Sequence, residues 1–311
     1  MKIKINKLVT LLSIASTGLM LSAGHNLTLT HKANATEISA TKDIRTQTLG
    51  IKNYKLESLD FISGNQAIIE LNNNHASLNP NDWQEHKIIY KHIDQFNRAT
   101  GAKTAFLSKA NIDLLSKGRV KQYINPSGWH PNLPDQQIYN RGHFIAYSLS
   151  KGIDKMGKYS PNLQRGDQNN RKNLFTQTDF SNKALQTIFE DKVRTALMQD
   201  KKVIYQAKPI FRGSELMARG VHLQAISTDK SLDFNVYIFN VQPGYQFDYQ
   251  TGRVAVDKDM YVSFNNQKFN NFDYYHAKVK QLNDQTFIHK ISHSKIYIFF
   301  KEKLNALLQY N

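Results

Sequence analysis

Leu185, Ile188, Phe189, Val193, Ala196 and Leu197 recur at helical spacing, and Val203 to Ala207 then reads as a strand that follows without a linker. This pairing constrains the fold most, because the apolar stripe of that helix must face the core. Two more alternating runs, Val221 to Ile226 and Phe234 to Val241, flank the polar turn Thr228-Asp229-Lys230-Ser231 and predict a hairpin of two long strands. Tyr249-Gln250-Thr251-Gly252-Arg253 predicts the tip of another hairpin, leading to Val254-Ala255-Val256. The expected class is α+β, with a central antiparallel sheet and flanking helices.

Upstream the pattern is weaker. Phe61-Ile62 and Ala67 to Leu71 suggest a strand pair at the edge of the domain, with Asn72-Asn73-Asn74 as a turn. Pro80-Asn81-Asp82 can open a helix carrying Trp83, Ile88, Ile89 and Ile93 on one face as far as Phe96, and a second helix is expected from Ser108 or Asn111 through Leu115. Pro126-Ser127-Gly128-Trp129-His130-Pro131 is a turn rich in chain breakers. At the other end Ile296, Phe299, Phe300, Leu304, Leu307 and Leu308 predict a closing amphipathic helix over about 290–311 that packs on the sheet.

The first 35 residues read as an address. Lys2, Lys4 and Lys7 precede an apolar run from Leu8 to Ala23, and Ala33-Asn34-Ala35 fits a small-x-small cleavage site, so a secreted chain starting near Thr36 is expected. The run is broken by Ser13, Ser16, Thr17 and Gly18 and is short for a membrane span, which argues against stable insertion. Loss of residues 1–35 removes four lysines and no acid, so the formal charge falls from +16 to +12. An exported basic domain expects an anionic partner. With no cysteine, thiolate zinc sites and thiol nucleophiles are excluded. Residues 36–311 show no linker, internal repeat or low-complexity tract and read as one domain.

Chemistry concentrates between Tyr139 and Arg194. In Asn140-Arg141-Gly142-His143 the imidazole can take a proton from water, the guanidinium can hold a phosphate, and the glycine leaves room for a bulky ligand. Beside the apolar stripe of the helix lies a row at steps of four: Asn182, Gln186, Glu190 and Arg194. Eight helical residues rise about 12 Å, so Asn182 and Glu190 would not share one small ion directly. Glu190 could reach a water on an ion held by Asn182, an arrangement that suits magnesium, which keeps most of its waters. The same letters also fit a plain helix cap at Asn182 and an ordinary Glu190/Arg194 surface pair. His289 and His293 stand at i,i+4, but without an intervening glutamate and in an alternating segment they do not read as metal ligands. Gly-x-Ser-x-Gly and the full Gly-x-x-x-x-Gly-Lys-Ser/Thr signatures are absent. Lys201, Lys202, Arg165, Arg171 and Lys172 are candidates for steering a polyanion.

Asn140-Arg141-Gly142-His143, then Asn169-Asn170-Arg171-Lys172-Asn173-Leu174-Phe175-Thr176-Gln177-Thr178, then Phe180-Ser181-Asn182 before the helix, resemble the DNA/RNA non-specific endonucleases of the ββα-metal (His-Me finger) class. Within that class the pattern is most similar to the secreted streptococcal DNases and the DNA-entry nuclease of pneumococcus, and it covers roughly residues 117–256. The resemblance implies a ββα-metal motif with His143 as general base and Asn182 as magnesium ligand, manganese or calcium being possible substitutes. It implies that Glu190 orients a water on the ion, that Arg194 meets the phosphate, and that Arg141 binds the phosphate or holds the loop. Asn173 and Gln177 would hydrogen bond within the site. The family usually opens its motif with aspartate, where this chain has Asn140. The implied activity is hydrolysis of DNA, and of RNA if accepted, to 5′-phosphate ends with little sequence selectivity. The alternative from another class is an exported polyanion-binding or immune-active protein with a degenerate nuclease site.

Overall fold

The computed structural model describes residues 55–113, 120–132, 134, 136–264 and 267–269, all within the compact unit Asp43–Asn311. The leader at 1–35, the closing helix at 290–311 and the His289/His293 pair lie outside the described residues. No helix among the described residues is long and apolar enough to cross a membrane.

A six-stranded antiparallel sheet forms the body. Its strands are β1 (Ile68–Glu70), β2 (Lys87–Ile89), β3 (Lys103–Leu107), β6 (Val203–Ile210), β7 (Gly220–Ser227) and β8 (Asp233–Phe239), in the order β1-β8-β7-β6-β3-β2. The two long runs expected as a hairpin are β7 and β8, paired from Gly220↔Phe239 to Ile226↔Asp233. The turn between them holds Lys230 at φ 60, with Asp229 accepting from Ser227 and Ser231. The second expected hairpin is β9 (Tyr245–Asp248) with β10 (Arg253–Val256), closed by Gly252 at φ 80. Gly252 also lies against the Gly128 backbone, where a side chain would collide.

The β9/β10 hairpin and two further strand pairs stand apart from the body: β4 (Tyr139–His143) with β5 (Leu174–Thr178), and β11 (Val262–Phe264) with β12 (Gln267–Phe269). After β5 comes a π-turn at Ser181–Gln186, continuing into helix α1 (Thr187–Met198). The order β4, β5, π-turn, α1 is the ββα motif. Phe189, Val193, Ala196 and Leu197 are buried and belong to one core with Tyr205, Leu223 and Phe234, so the apolar stripe lies on the main sheet.

Near the N-terminus the expected edge strand at Ala67 to Leu71 forms as β1, but three other expectations differ from the structure. Pro80–Asp82 makes one 3₁₀ turn capped by Asn79, and the chain then enters β2 in place of a helix to Phe96. Ile88 is buried and Ile89 exposed, so the apolar pair alternates on a strand at the sheet edge, where pairing with β3 satisfies the backbone. Lys109–Asn111 is likewise a single 3₁₀ turn after the Ser108 cap, with 114–119 outside the described residues. Phe61 and Ile62 form no strand; Phe61 packs edge-on against Phe239 at 5.3 Å. The Asn72-Asn73-Asn74 turn holds, all three residues being left-handed at φ 50, 52 and 61, which asparagine tolerates better than most.

Candidate active site

The β4/β5 ribbon sets the geometry. Its register places Asn140 opposite Gln177 and Gly142 opposite Phe175, and this face meets the π-turn. Gly142 is required by that approach: a β-carbon there would collide with the side chain of Gln177. The room at Gly142 is therefore filled by Gln177, and not by a ligand as expected from the sequence.

The turn after β5 is held from outside. Phe180 N–H donates to Gln242 Oε1 at 2.8 Å, and Ser181 N–H to Thr178 Oγ1 at 3.1 Å. A π-turn is wider than an α-turn and is often found at functional sites. Here it brings three amides into line. Asn182 Nδ2 donates to Gln177 Oε1 (2.7 Å), Gln177 Nε2 donates to Gln186 Oε1 (3.0 Å), and Gln186 Nε2 donates to Glu190 Oε1 and to the His143 carbonyl (both 2.8 Å). The row Asn182, Gln186, Glu190 thus forms, but through Gln177 and on a widened turn.

His143 sits at the end of β4 with its Nε2 3.0 Å from the Gln168 carbonyl oxygen. A carbonyl can only accept, so Nε2 carries the hydrogen and Nδ1 is the basic nitrogen. Gln122 Nε2 lies 3.3 Å from the same ring nitrogen.

His143, Asn182, Glu190, Asn140 and Arg141 line one cavity of about 160 Å³. Burial pushes the Glu190 carboxyl up from its ordinary range, and the Gln186 hydrogen bond and the Arg194 charge oppose that rise. Arg141 is held by Asn125 Oδ1 (2.7 Å from one terminal nitrogen) and lies 4.3 Å over the Trp129 ring. Arg194 does not line the cavity: it bonds Ser148 Oγ at 3.1 Å and pairs with Asp191. Asn140 donates to Asp179 Oδ1 at 2.8 Å and accepts from Gln137 at 2.7 Å. Asp179 is fully buried and also meets Lys183 at 2.6 Å. Asn173 clamps the Ile145 backbone, accepting its N–H and donating to its C=O, both at 3.0 Å, so it supports the loop after His143. Lys201 and Lys202 are engaged elsewhere, with Asp229 and the Trp83 ring, while Arg165 and Arg171 are exposed on either side of Gln168.

Among the described residues no three histidines or carboxylates cluster to hold an ion. The donor set is instead a neutral one. Asn182 uses its Nδ2 on Gln177, and its Oδ1 has no hydrogen-bond partner among the described residues. An amide oxygen with a carboxylate nearby fits a hard cation that retains most of its waters.

Residues 161–229 match the DNA/RNA non-specific endonuclease family. A curated "Deoxyribonuclease" from Streptococcus dysgalactiae subsp. equisimilis is 28% identical over 200 residues, covering 55% of this chain; the chain spans 61% of that relative's length. The crystal structure of NucA from Streptococcus agalactiae with magnesium bound superposes with a TM-score of 0.53 at 28% identity, over 61% of this chain and 89% of NucA. The metal-free NucA structure gives 0.52 at 27% identity, over 70% and 96%.

Within this site several contributors escaped the sequence. Gln168 acts through its backbone carbonyl, which no side-chain pattern reveals. Asn125 and Ser148 hold the two arginines from distant loops. Asp179 was detectable as the acid directly preceding Phe180-Ser181-Asn182, and Gln186 as the unexplained polar member of the helix row.

Proposed function

We propose that the chain is a metal-dependent endonuclease that hydrolyses DNA phosphodiester bonds with little sequence selectivity. One observation carries the reading. The His143 imidazole, its tautomer set by the Gln168 carbonyl, shares a small cavity with an uncommitted Asn182 oxygen. His143 Nδ1 takes the proton from the attacking water, and the carbonyl on Nε2 stabilises the imidazolium that results. Asn182 would hold the cation and Glu190 would orient a water on it, magnesium by preference with manganese or calcium as substitutes. Such an ion offsets charge on the phosphoryl and leaving oxygens. Arg141, its fork fixed by Asn125 and Trp129, presents a guanidinium at the cavity for a phosphate oxygen. Arg194 acts from behind Ser148, which lines the cavity. The magnesium bound by NucA and the deoxyribonuclease name of the curated relative support this assignment. We further read the protein as secreted after loss of residues 1–35, with 5′-phosphate products; whether RNA is also cut is a question for the assay below.

A plasmid-nicking and RNA-digestion assay with magnesium, manganese, calcium or chelator tests the proposal. His143→Ala should lower the rate by about 10²–10⁴-fold, as expected for loss of a general base, and chelation should abolish cleavage. Cleavage unchanged by either would overturn it. Salt-sensitive DNA binding without turnover under any of the three ions would favour the polyanion-binding alternative.

A further inference from the structure

An asparagine can serve a cation only if its oxygen faces the ion, and its two terminal atoms are nearly equal in size, so shape alone does not choose between them. In this site the choice is traceable through hydrogen bonds. It begins at two groups that can only accept, the carboxylate of Glu190 and the backbone carbonyl of His143. Both lie 2.8 Å from one atom of Gln186, which must therefore be the NH₂ group. Gln186 Oε1 is then committed to face Gln177, whose nearer atom, 3.0 Å away, must be its NH₂. Gln177 Oε1 in turn faces Asn182 at 2.7 Å and takes a hydrogen from Asn182 Nδ2. What remains for the cavity is Asn182 Oδ1.

We propose that Gln186 is a positioning residue: it sets the polarity of the Gln186-Gln177-Asn182 relay and so turns the Asn182 oxygen, and not its NH₂, toward the cation. The inference rests on reading the cavity as a metal-dependent nuclease site. Burial makes the relay decisive. Gln177 is fully buried and Gln186 is 1% exposed, so water does not step in to satisfy a reversed amide. Reversing the relay would set Gln186 Oε1 against two acceptors at once. Gly142 is part of the same device, since only a residue without a β-carbon lets Gln177 lie across β4 and bridge Gln186 to Asn182. Ser181 Oγ, 3.1 Å from Gln177 Nε2, imposes no direction, because a hydroxyl can donate or accept.

The relay makes a prediction that packing alone does not. Gln186→Met keeps length and bulk but removes the oxygen that anchors Gln177. Gln177 then gains by turning its NH₂ onto Asn182 Oδ1, and a cation must reverse that bond before binding. Titration of Mn²⁺ into the purified protein without DNA, followed by calorimetry or by the free-Mn²⁺ electron spin signal, should show binding weakened roughly ten- to a hundred-fold, the range set by one buried amide hydrogen bond left unmade. In the Asn182→Asp background both terminal atoms are oxygens and orientation is irrelevant. There Gln186→Met should not weaken Mn²⁺ binding, since it also lets Gln177 turn its NH₂ toward the carboxylate at 182, so the two substitutions are strongly non-additive. Gln177→Met removes the next link, the oxygen that takes the Asn182 hydrogen, and should likewise weaken Mn²⁺ binding with Asn182 present but not in the Asn182→Asp background, which keeps a test in hand if Gln186→Met does not fold. Equal losses in both backgrounds, or no loss in either Gln186→Met or Gln177→Met, would overturn the relay. Wild-type protein that takes up no Mn²⁺ at millimolar concentration would instead sink the metal-dependent reading beneath it.

Discussion

Asn140 stands where the nucleases that the sequence resembles usually have aspartate, which invites the substitution Asn140→Asp. The structure argues the opposite. Asn140 Nδ2 donates to Asp179 Oδ1 at 2.8 Å, and Asp179 is fully buried. An aspartate at 140 would place two carboxylate oxygens about that far apart, a repulsion of roughly 6 kcal/mol at an effective dielectric of ~20. Lys183, 2.6 Å from the same Asp179 oxygen, offsets part of it, and the pair can also capture a proton. Together with the lost charge-assisted bond, the net cost at pH 8 is about 2–4 kcal/mol. For a folded unit of this size that is a fall in Tm of about 5–12 °C. The sign of the pH dependence follows from the shared proton. The close pair has a folded pKa raised above the unfolded carboxylate value, so the native variant binds a proton that its unfolded chain lacks. The cost is therefore full above the raised folded pKa, shrinks as pH falls through it, and is gone below the unfolded value of about 3.9. Thermal melts of both proteins at pH 8 and pH 5 should show a deficit at pH 8 at least twice that at pH 5. An equal Tm at pH 8, or a deficit independent of pH, would refute the assignment of Asn140 as the neutral partner of Asp179.

Burial raises the Glu190 carboxyl, so its ionised form costs stability above the raised pKa; Glu190→Gln should melt higher than wild type at pH 8, with the gain disappearing as pH falls through that value. The same variant should cleave plasmid at least about ten-fold more slowly, the lower range for loss of a positioned carboxylate; a stability gain that grows on acidification would contradict the burial argument. Lys103 is fully buried, donates to the carbonyls of Ala99, Thr100 and Gly101, and lies 3.9 Å over the ring of Phe144, next to His143. Lys103→Met strands three acceptors and should cost about 3–5 kcal/mol in chemical denaturation, whereas a change under about 1 kcal/mol would show that the carbonyls find other donors. Binding of the His143→Ala protein to duplex DNA under chelation should weaken at least ten-fold between 50 and 200 mM salt, with little difference between unrelated sequences; a salt-insensitive affinity would argue against phosphate contacts.

The elements legible in the sequence were those whose period and punctuation agree. β7 and β8 alternate and are joined by a polar turn, so tertiary structure had nothing to override. The stretch from Trp83 to Phe96 lacks that agreement. Its apolar residues fit a helix loosely, but Ile88 and Ile89 alternate at a sheet edge, and Trp83 is spent on covering Phe106, Ile204 and Ile226 with its indole N–H on the Leu107 carbonyl at 3.0 Å. Short edge strands are specified by their neighbours more than by their own letters.

The site divides along a similar line. His143, Asn182 and Glu190 stand out in the sequence because each bears chemistry in its side chain, and the fold brings all three to one cavity. What the sequence concealed is orientation. The proton on His143 Nε2 is assigned by a backbone carbonyl, and the face of Asn182 by two glutamines whose letters suggest only surface polarity. The π-turn is the physical reason for the second omission. With 3.6 residues per turn Gln186 reads as one more member of an edge row, whereas a widened turn lets it reach the His143 carbonyl, Glu190 and Gln177 together. Buried amide relays of this kind are costly when half made and directional when complete. A residue that never touches substrate can therefore decide whether the ligand beside it presents an oxygen or a nitrogen.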